Sequence, residues 1–283
     1  MTPDTIDEIL SAWQKGEPFE STVSRIRVEL SSSLPVFGFA LHSGSLIRDE
    51  LSPKLNLDRQ QMLYEEDPGT DELLDGLPNR IHPFFSRFEC DLNRPQKGKP
   101  VETAVYTDPS LAWGLEVYRP LLDPDEIRES LVPYRQFYRL VEALCRDMED
   151  RIGYGVLIDM HSYNNRGREG LPDINLGTLY QDRERFSGLI AGLSSSLKRM
   201  TIQGRSLVVR ENDRDLKFYG GSLNRWVAKR FKNILVISLE LKKFFMDEGR
   251  CIFHQDIFFE LKTALNIVFS TLTTDIQKRI KNR

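Results

Sequence analysis

Polar side chains of catalytic type end four apolar runs of the sequence. The runs VFGFALH, RFECDLNR, GVLIDMH and ILVISLE deliver, in order, His42, the pair Asn93 and Arg94, His161, and Glu240. Each of these residues, taken alone, is more often structural or solvated than catalytic. Together they favour a common site, because parallel strands bring the side chains at their carboxyl ends to one crevice.

These residue types suit metal-assisted hydrolysis. Two neutral imidazoles and one carboxylate are the protein ligands of an open catalytic zinc site, which keeps a position for water. A second carboxylate nearby can take the proton from that water, and an arginine can hold an anionic group of the substrate. The four runs supply two imidazoles, an arginine and one carboxylate, so a further carboxylate ligand has to come from elsewhere.

The loop after the first histidine supplies a dense acidic group in the stretch YEEDPGTDELLD. Its acidic residues Glu65, Glu66, Asp67, Asp71 and Glu72 fall within eight positions. One interpretation is that one of them binds the metal. The alternative is an exposed acidic turn that caps the following helix, with Thr70 as the N-cap residue.

The segments that must position these residues are typical of an α/β protein. Apolar runs expected to form strands lie at 24–30, 36–42, 87–93, 155–161, 206–212 and 234–240. Longer segments expected to form helices lie at 125–152, 182–200, 221–231 and 254–280. Their alternation predicts an α/β sandwich around a mixed, largely parallel sheet. Polar stretches at 43–80 and 161–178 are expected to be long loops at the edge of the sheet where ligands bind.

The composition of the chain argues against several classes of protein. The chain has 39 basic and 42 acidic residues and no long basic stripe, which argues against nucleic-acid binding. No run approaches the ~20 apolar residues of a membrane span, and the N-terminus lacks the pattern of a secretory signal. Three separated cysteines favour a reducing, cytoplasmic setting. No break in composition divides the chain, so we expect one domain over residues 1–283.

The order of several short motifs resembles that of the N-formylglutamate amidohydrolases. The matching blocks are LHSG (41–44), EDPGTDEL (66–73), DLNRP (91–95), IDMHSY (158–163), PDINLGT (172–178), YGG (219–221) and ISLELKKFFMDE (237–248). Each block is short, and the order and spacing of the blocks make the match specific. That family is similar in fold to the zinc carboxypeptidases and aspartoacylases. The resemblance therefore implies a three-layer α/β sandwich with one zinc ion at the edge of a mixed sheet.

Carried over to this sequence, the resemblance implies a set of metal ligands and a base. His42 and His161 would bind one Zn²⁺ per chain. Asp67 would be the third ligand, with Glu66 as the alternative acidic ligand. Glu240 takes the position of the general base.

The resemblance also implies residues that bind the substrate. Asn93 and Arg94 match an Asn-Arg pair that binds polar and carboxylate groups, and Arg94 is expected to act in catalysis by anchoring the substrate. Asp159 shares a strand face with His161 and is expected either to orient an imidazole or to bond to the backbone at the strand end. The further residues expected to contact the substrate are Ser162, Asn164, Asp173, Gly220 and Gly221.

The chain departs from the family pattern at positions expected around the substrate pocket. Leu41 precedes the first histidine where Pro is common, Arg135 replaces a histidine, and Lys242 and Lys243 stand where Asn is usual after the Glu-containing strand. The expected activity is zinc-dependent hydrolysis of a small N-formyl or N-acyl acidic amino acid. The alternatives are hydrolysis of peptide or cell-wall amides, and a non-catalytic relative that kept the fold. The oligomeric state is left open.

Overall fold

The elements below belong to a computed structural model that describes residues 3–96, 103–106 and 115–282. The helices are α1 (Pro3–Lys15), α2 (Arg59–Glu65), α3 (Pro124–Asp147), α4 (Ser187–Lys198), α5 (Ser222–Ala228) and α6 (Gln255–Lys281). The strands are β1 (Phe19–Val23), β2 (Ile26–Leu30), β3 (Val36–Phe39), β4 (Asn79–Pro83), β5 (Gly155–Tyr163), β6 (Ile174–Gly177), β7 (Thr201–Ile202), β8 (Arg205–Ser206), β9 (Val209–Glu211), β10 (Ile234–Lys242), β11 (Met246–Asp247) and β12 (Ile252–Phe253). Short helical turns lie at Ser52–Lys54, Glu72–Leu74 and Met148–Ile152.

One mixed sheet of eight strands has the order β1-β2-β4-β3-β5-β10-β6-β9. The four strands β4, β3, β5 and β10 are parallel neighbours at its centre, and β6 and β9 form a further parallel pair. The pairs β1-β2, β2-β4 and β10-β6 are antiparallel. The central strands therefore end at the same edge of the sheet, which is where a ligand site forms in open α/β folds.

Helices cover both faces of the sheet and bury its side chains in two cores. One core packs the sheet against α4 and α6, and the other packs it against α1, α3 and α5. This arrangement confirms the predicted three-layer α/β sandwich with a mixed, largely parallel sheet. Among the described residues, no helix combines the length and apolar character that crossing a membrane requires.

The alternation of side chains along β5 and β10 decides which face receives the polar residues. Ile158 and Met160 point into the core under α4 and α6, whereas Leu157 points into the core under α3 and α5. Because strand side chains alternate, Asp159 and His161 share the face of Leu157. On β10 the same argument places Glu240 on that face, since Val236 belongs to the α3 and α5 core.

Several predicted elements differ from the observed ones. The segment 87–93 is not a strand but a series of turns, in which the amides of Glu89 and Cys90 donate to the carbonyl of Ser86. The stretch 161–178 is not one loop, because β5 extends to Tyr163 and β6 occupies its end. Helix α2 lies within the predicted loop 43–80. No apolar stripe marks α2, because Met62 is its only buried residue, and the signal that could have found it is the capping box of Asp58 and Gln61 at its start. The single domain stays a prediction.

Candidate active site

Three buried side chains meet at the edge where the central strands end. Nδ1 of His42 lies 3.2 Å from Oδ2 of Asp67, and Nδ1 of His161 lies 3.0 Å from the same oxygen. One candidate ligand atom from each of the three residues lies within 4.8 Å of the other two. The structure thus brings together the ligand set expected from the sequence.

Local structure explains how Asp67 reaches the histidines. His42 follows β3, and its backbone carbonyl accepts a hydrogen bond from the amide of Asp67 at 2.9 Å. The hydroxyl of Thr70 donates to the carbonyl of Asp67 at 2.7 Å and closes the turn after α2. Asp67 is only 2% exposed, so this part of the acidic stretch is not an exposed turn.

The far sides of both imidazoles face carboxylates. Nε2 of His42 lies 2.8 Å from Oδ1 of Asp91, and Nε2 of His161 lies 3.0 Å from Oδ1 of Asp159. Partners of this kind fix the tautomer and the ring orientation of metal-binding histidines. On His42, Nε2 faces Asp91, so Nδ1 is the nitrogen left to bind a metal. On His161, Nε2 lies 3.0 Å from both Asp159 and the amide nitrogen of Asn93, while Nδ1 faces Asp67. For Asp159 this orienting role was one of two expected from the sequence, the other being a bond to the backbone, whereas Asp91 was not expected here.

The donor set and the charges fit a divalent cation. Asp67, Asp91, Asp159 and Glu240 place four carboxylates around the two imidazoles, and Arg87 is a buried cation among them. Neither carboxylate oxygen of Asp159 has a hydrogen-bond partner of good geometry among the described residues. A divalent cation would offset this excess of buried negative charge, which is otherwise costly.

The ionisation of the cluster follows from the same contacts. Burial alone would raise the pKa of Asp67, but hydrogen bonds from both imidazoles and their charges outweigh it and hold this pKa far below its usual range. Burial would lower the pKa of His161, but Asp159 and Asp67 outweigh it and raise this pKa well above the usual value. The contacts therefore favour an ionised Asp67 carboxylate beside a protonated His161 imidazole.

Glu240 is the second carboxylate of the predicted mechanism. It lies opposite His161 in the parallel register of β10 and β5, and its side chain lines the same cavity as the three candidate ligands. Burial, helped by the charges of Asp67 and Asp159, raises the pKa of Glu240 to about 7 against the opposing influence of His161 and Arg87. A carboxylate with this pKa can accept and return a proton near neutral pH.

Glu66, the alternative acidic ligand, lies outside the cluster. Its Oε1 accepts a hydrogen bond from the hydroxyl of Ser86, and its Oε2 is buried without a partner among the described residues. Burial raises the pKa of Glu66 to about 7. The turn after α2 directs Asp67 to the histidines and Glu66 away from them, so the geometry favours Asp67 as the ligand.

Arg87 is a cavity residue that the sequence did not point to. Its Nη2 lies 2.7 Å and its Nε 3.1 Å from Oδ2 of Asp91, and its pKa is raised because Asp91 outweighs the effect of burial. It therefore places a fixed positive charge beside the candidate ligands. Its burial depends on folding of 87–93 into turns, which the apolar alternation in this segment does not reveal.

The predicted substrate residues Asn93, Arg94, Gly220 and Gly221 line the cavity. Nδ2 of Asn93 lies 3.0 Å from Nε2 of His161, and Oδ1 of Asn93 accepts from the amide of Leu223. A Cβ on Gly221 would lie 2.2 Å from Nδ2 of Asn93, so a side chain there would displace the Asn93 amide. Close packing against this glycine therefore helps to hold Asn93 in position.

Three side chains that line the cavity bind the carbonyls at the end of α2. Nζ of Lys243 donates to the carbonyls of Tyr64 at 2.6 Å and Glu66 at 2.7 Å. The remaining donors are Asn164, which binds the carbonyl of Tyr64, and Arg87, which binds the carbonyl of Glu65. Helix ends leave such carbonyls without partners, so these side chains fix the segment that leads into the candidate ligand.

Two further predicted substrate residues, Ser162 and Asp173, have structural partners, and Asp173 lies outside the cavity. The hydroxyl of Ser162 lines the cavity but donates to Oδ1 of Asp67 at 3.0 Å, so it orients that carboxylate. Asp173 does not line the cavity. Both of its oxygens accept from the guanidinium of Arg205, and Oδ2 also accepts from the amide of Val208. These contacts give Asp173 a structural role outside the cavity, and its part in substrate binding stays a prediction.

The cavity around these residues has a volume of about 760 Å³. Besides Arg87 and Lys243, its lining carries several cations: Arg94, Arg166, Arg168, Lys217 and Arg225. A cavity of this kind is suited to a small polar ligand with negative charge, because cations lining a cleft raise the local concentration of anions.

Comparison with known proteins identifies relatives. A family model described as N-formylglutamate amidohydrolase matches residues 34–246. N-formylglutamate deformylase of Pseudomonas aeruginosa is 29% identical over an alignment of 183 residues that covers 58% of this chain and 63% of that protein. The match therefore spans less than two thirds of the length of this curated relative.

Solved structures show the same fold. The crystal structure of N-formylglutamate amidohydrolase from Ralstonia eutropha JMP134 matches with a TM-score of 0.73 at 18% identity, covering 90% of this chain and 99% of that one. Gene product Atu2144 from Agrobacterium tumefaciens matches with a TM-score of 0.63 at 18% identity, covering 92% and 97%. The family model matches well over half of the chain, and the chain therefore belongs to the N-formylglutamate amidohydrolase family.

Proposed function

We propose that this protein hydrolyses the amide of a small N-formyl or N-acyl acidic amino acid, with zinc held by His42, Asp67 and His161. The observation that carries the proposal is the convergence of both Nδ1 atoms on one oxygen of Asp67, in the cavity that also contains Glu240. The name of the curated relative, N-formylglutamate deformylase, supports this class of substrate.

His42, Asp67 and His161 would hold the zinc ion, and when bound it would lower the pKa of a water beside it from about 15.7 to about 7. The overall reaction breaks the amide C–N bond, adds the hydroxyl of water to the acyl carbon and adds a proton to the leaving nitrogen.

Glu240 would act first as the general base and then as the general acid of this reaction. It would accept a proton from the attacking water and return it to the leaving amine. Its position supports this role, because it shares a face of the sheet with His161 on the neighbouring strand. Its pKa of about 7 also allows both steps near neutral pH.

Arg87 and Arg94 would stabilise the negative charges of the substrate. Arg87 is buried and held by Asp91, so it is suited to stabilise the charge that develops on the carbonyl oxygen. Arg94 is partly exposed, and its Nε lies 3.8 Å from Asp91, which leaves its guanidinium able to bind a carboxylate. Asn93 would provide a hydrogen bond beside it.

The test combines metal analysis with a substrate panel. We expect the purified full-length protein to contain about one zinc per chain and to release formate from N-formylglutamate. Activity should disappear with a chelator and return with zinc. A panel of N-formyl and N-acetyl amino acids, with short peptides beside them, measures the preferred amide. A metal-free protein that takes up no zinc would contradict the proposal and favour a non-catalytic relative.

The base is tested separately with Glu240→Gln. This variant should bind zinc with nearly the affinity of the wild type and lose at least about a hundredfold in kcat. Glu211→Gln is the matched control, since Glu211 is paired with Arg183 and does not line the cavity. Undiminished turnover in Glu240→Gln with metal bound would exclude this mechanism.

A further inference from the structure

A second groove adjoins the catalytic cavity. It has a volume of about 560 Å³, and Ser222 and Arg225 line both spaces. Pro95 and Gln96, which directly follow the pair Asn93 and Arg94, form part of its wall. The groove therefore starts beside the residues proposed to hold the substrate carboxylate.

The groove is strongly basic, although the whole chain carries a formal charge of −3. Its cations are Arg135, Arg139, Arg225, Lys229 and Arg230. Glu142 is its one lining carboxylate, and this residue is paired with Arg146 at 3.1 Å. Within the described parts of the chain, no carboxylate lies within 4.0 Å of any of the five cations. Like charges gathered in one groove repel each other, so an anion would be stabilised there.

Aromatic side chains form the floor of the groove and connect it to the active site. The rings of Tyr138 and Trp226 lie 5.0 Å apart, and the hydroxyl of Tyr138 donates to the carbonyl of Leu92 at 2.8 Å. The hydroxyl of Tyr134 donates to the carbonyl of Arg94 at 3.0 Å. The floor is thus bonded to the backbone on both sides of Asn93 and is held in a fixed position.

We propose that this groove binds an acidic extension of the substrate, namely carboxylate-bearing residues that follow the residue whose amide is cleaved. The substrate class is then an N-formyl or N-acyl peptide rich in glutamate or aspartate, with Arg94 holding the first side-chain carboxylate. The position of the groove favours a peptide over a nucleic acid, because its occupant must continue from an acyl amino acid in the cavity. This inference rests on the proposed function for its chemistry, although binding can be tested without turnover.

The test compares three substrates of the zinc-loaded full-length protein: N-formyl-Glu, N-formyl-Glu-Glu-Glu and N-formyl-Glu-Gln-Gln. We expect kcat/KM for the acidic tripeptide to exceed that for the neutral one by about tenfold at low salt, mainly through KM, and the ratio to fall as salt rises. The double variant Arg139→Gln with Arg230→Gln should bring the ratio to within about threefold and leave hydrolysis of N-formyl-Glu unchanged. Arg128→Gln is the matched control, because this exposed arginine of α3 lines neither space.

Binding of acetyl-Glu-Glu-Glu, measured by calorimetry in the Glu240→Gln background so that the acetyl group is not removed, separates the two proposals. Saturable binding that the double variant weakens supports the groove, even if no formyl compound is hydrolysed, and that combination overturns the proposed function alone. Equal kcat/KM values for the acidic and neutral tripeptides, with N-formyl-Glu still cleaved, overturn the groove alone. Tighter binding of a single-stranded oligothymidylate than of the acidic peptide would also overturn it.

Discussion

The ammonium group of Lys243 donates a hydrogen bond to the backbone carbonyl of Glu66 at 2.7 Å, one residue before the candidate ligand Asp67. The side chain is 2% exposed, and its second bond goes to the carbonyl of Tyr64. A buried lysine with these partners holds the end of α2 in place. The contact links β10, which carries Glu240, to the loop that carries the ligand carboxylate.

Lys243→Met should therefore weaken metal binding. Loss of two charged hydrogen bonds leaves two buried carbonyls without their partner, so we expect zinc affinity to fall about tenfold to a hundredfold and unfolding to need about 2 to 4 kcal/mol less. Competition with a chromogenic chelator measures the affinity. Lys242→Met is the matched control, since the side chain of Lys242 binds the carbonyl of Leu171. Equal loss in both variants would mean that Lys243 has no specific positioning role.

Asp91→Asn should also weaken zinc binding by about tenfold or more. The carboxylate of Asp91 faces Nε2 of His42 and holds Arg87 through its other oxygen, and an amide cannot provide the same charge to either. Glu89→Gln is the control, because Glu89 is equally buried but pairs with Arg25. This control should lower thermal stability and keep the zinc affinity. An unchanged zinc affinity in Asp91→Asn would show that His42 needs no orienting carboxylate.

Two neighbouring acids can be distinguished by isosteric substitution. Asp67→Asn should lose zinc binding by at least about a hundredfold, because the amide replaces the anionic ligand that both imidazoles face. Glu66→Gln should keep zinc binding to within about threefold, since Glu66 is bonded to Ser86 outside the cluster. Metal content after dialysis and competition with a chelator measure the zinc affinity of both variants. The reverse result would make Glu66 the ligand.

Asp173→Asn should alter stability and its pH dependence without altering KM. Burial opposes ionisation, but Arg205 and the amide of Val208 outweigh it and hold the pKa of Asp173 below its usual value of 3.8. A lowered folded pKa contributes stability above pH 4 that is lost as pH falls through the folded pKa. The variant should thus be less stable at pH 7 by about 1 to 2 kcal/mol, and this difference in stability should shrink below pH 4.

Urea unfolding at several pH values measures the stability of the Asp173 variant, with the surface variant Asp275→Asn as control. A raised KM with unchanged stability would support Asp173 as a substrate residue.

The sequence revealed the strand-end residues because one local pattern determines them. His161 and Glu240 follow apolar runs, and such runs are typical of buried parallel strands. The order of the motifs added Asp67, which composition alone could not separate from its acidic neighbours.

The roles of Arg87 and Asp91, and the contact of Lys243 with the end of α2, were not predicted because they depend on contacts across the fold. Phe88, Cys90 and Leu92 alternate with polar residues as in a strand, yet the backbone there forms turns, and the charged residues between them are buried as well. A local pattern cannot show that a charged side chain has a buried partner, since that partner comes from another element. The same reason explains Asp173, whose partner Arg205 lies on β8.

The pairing of Glu240 with His161 across β10 and β5 has a consequence for folding. A slip of one residue between these strands would turn Glu240 to the opposite side of the sheet, because successive side chains alternate. The proposed metal binding and turnover would therefore report strand alignment as well as chemistry. A misaligned chain would retain much of its helix content and still lack the proposed activity, so that activity would be a sensitive measure of correct folding.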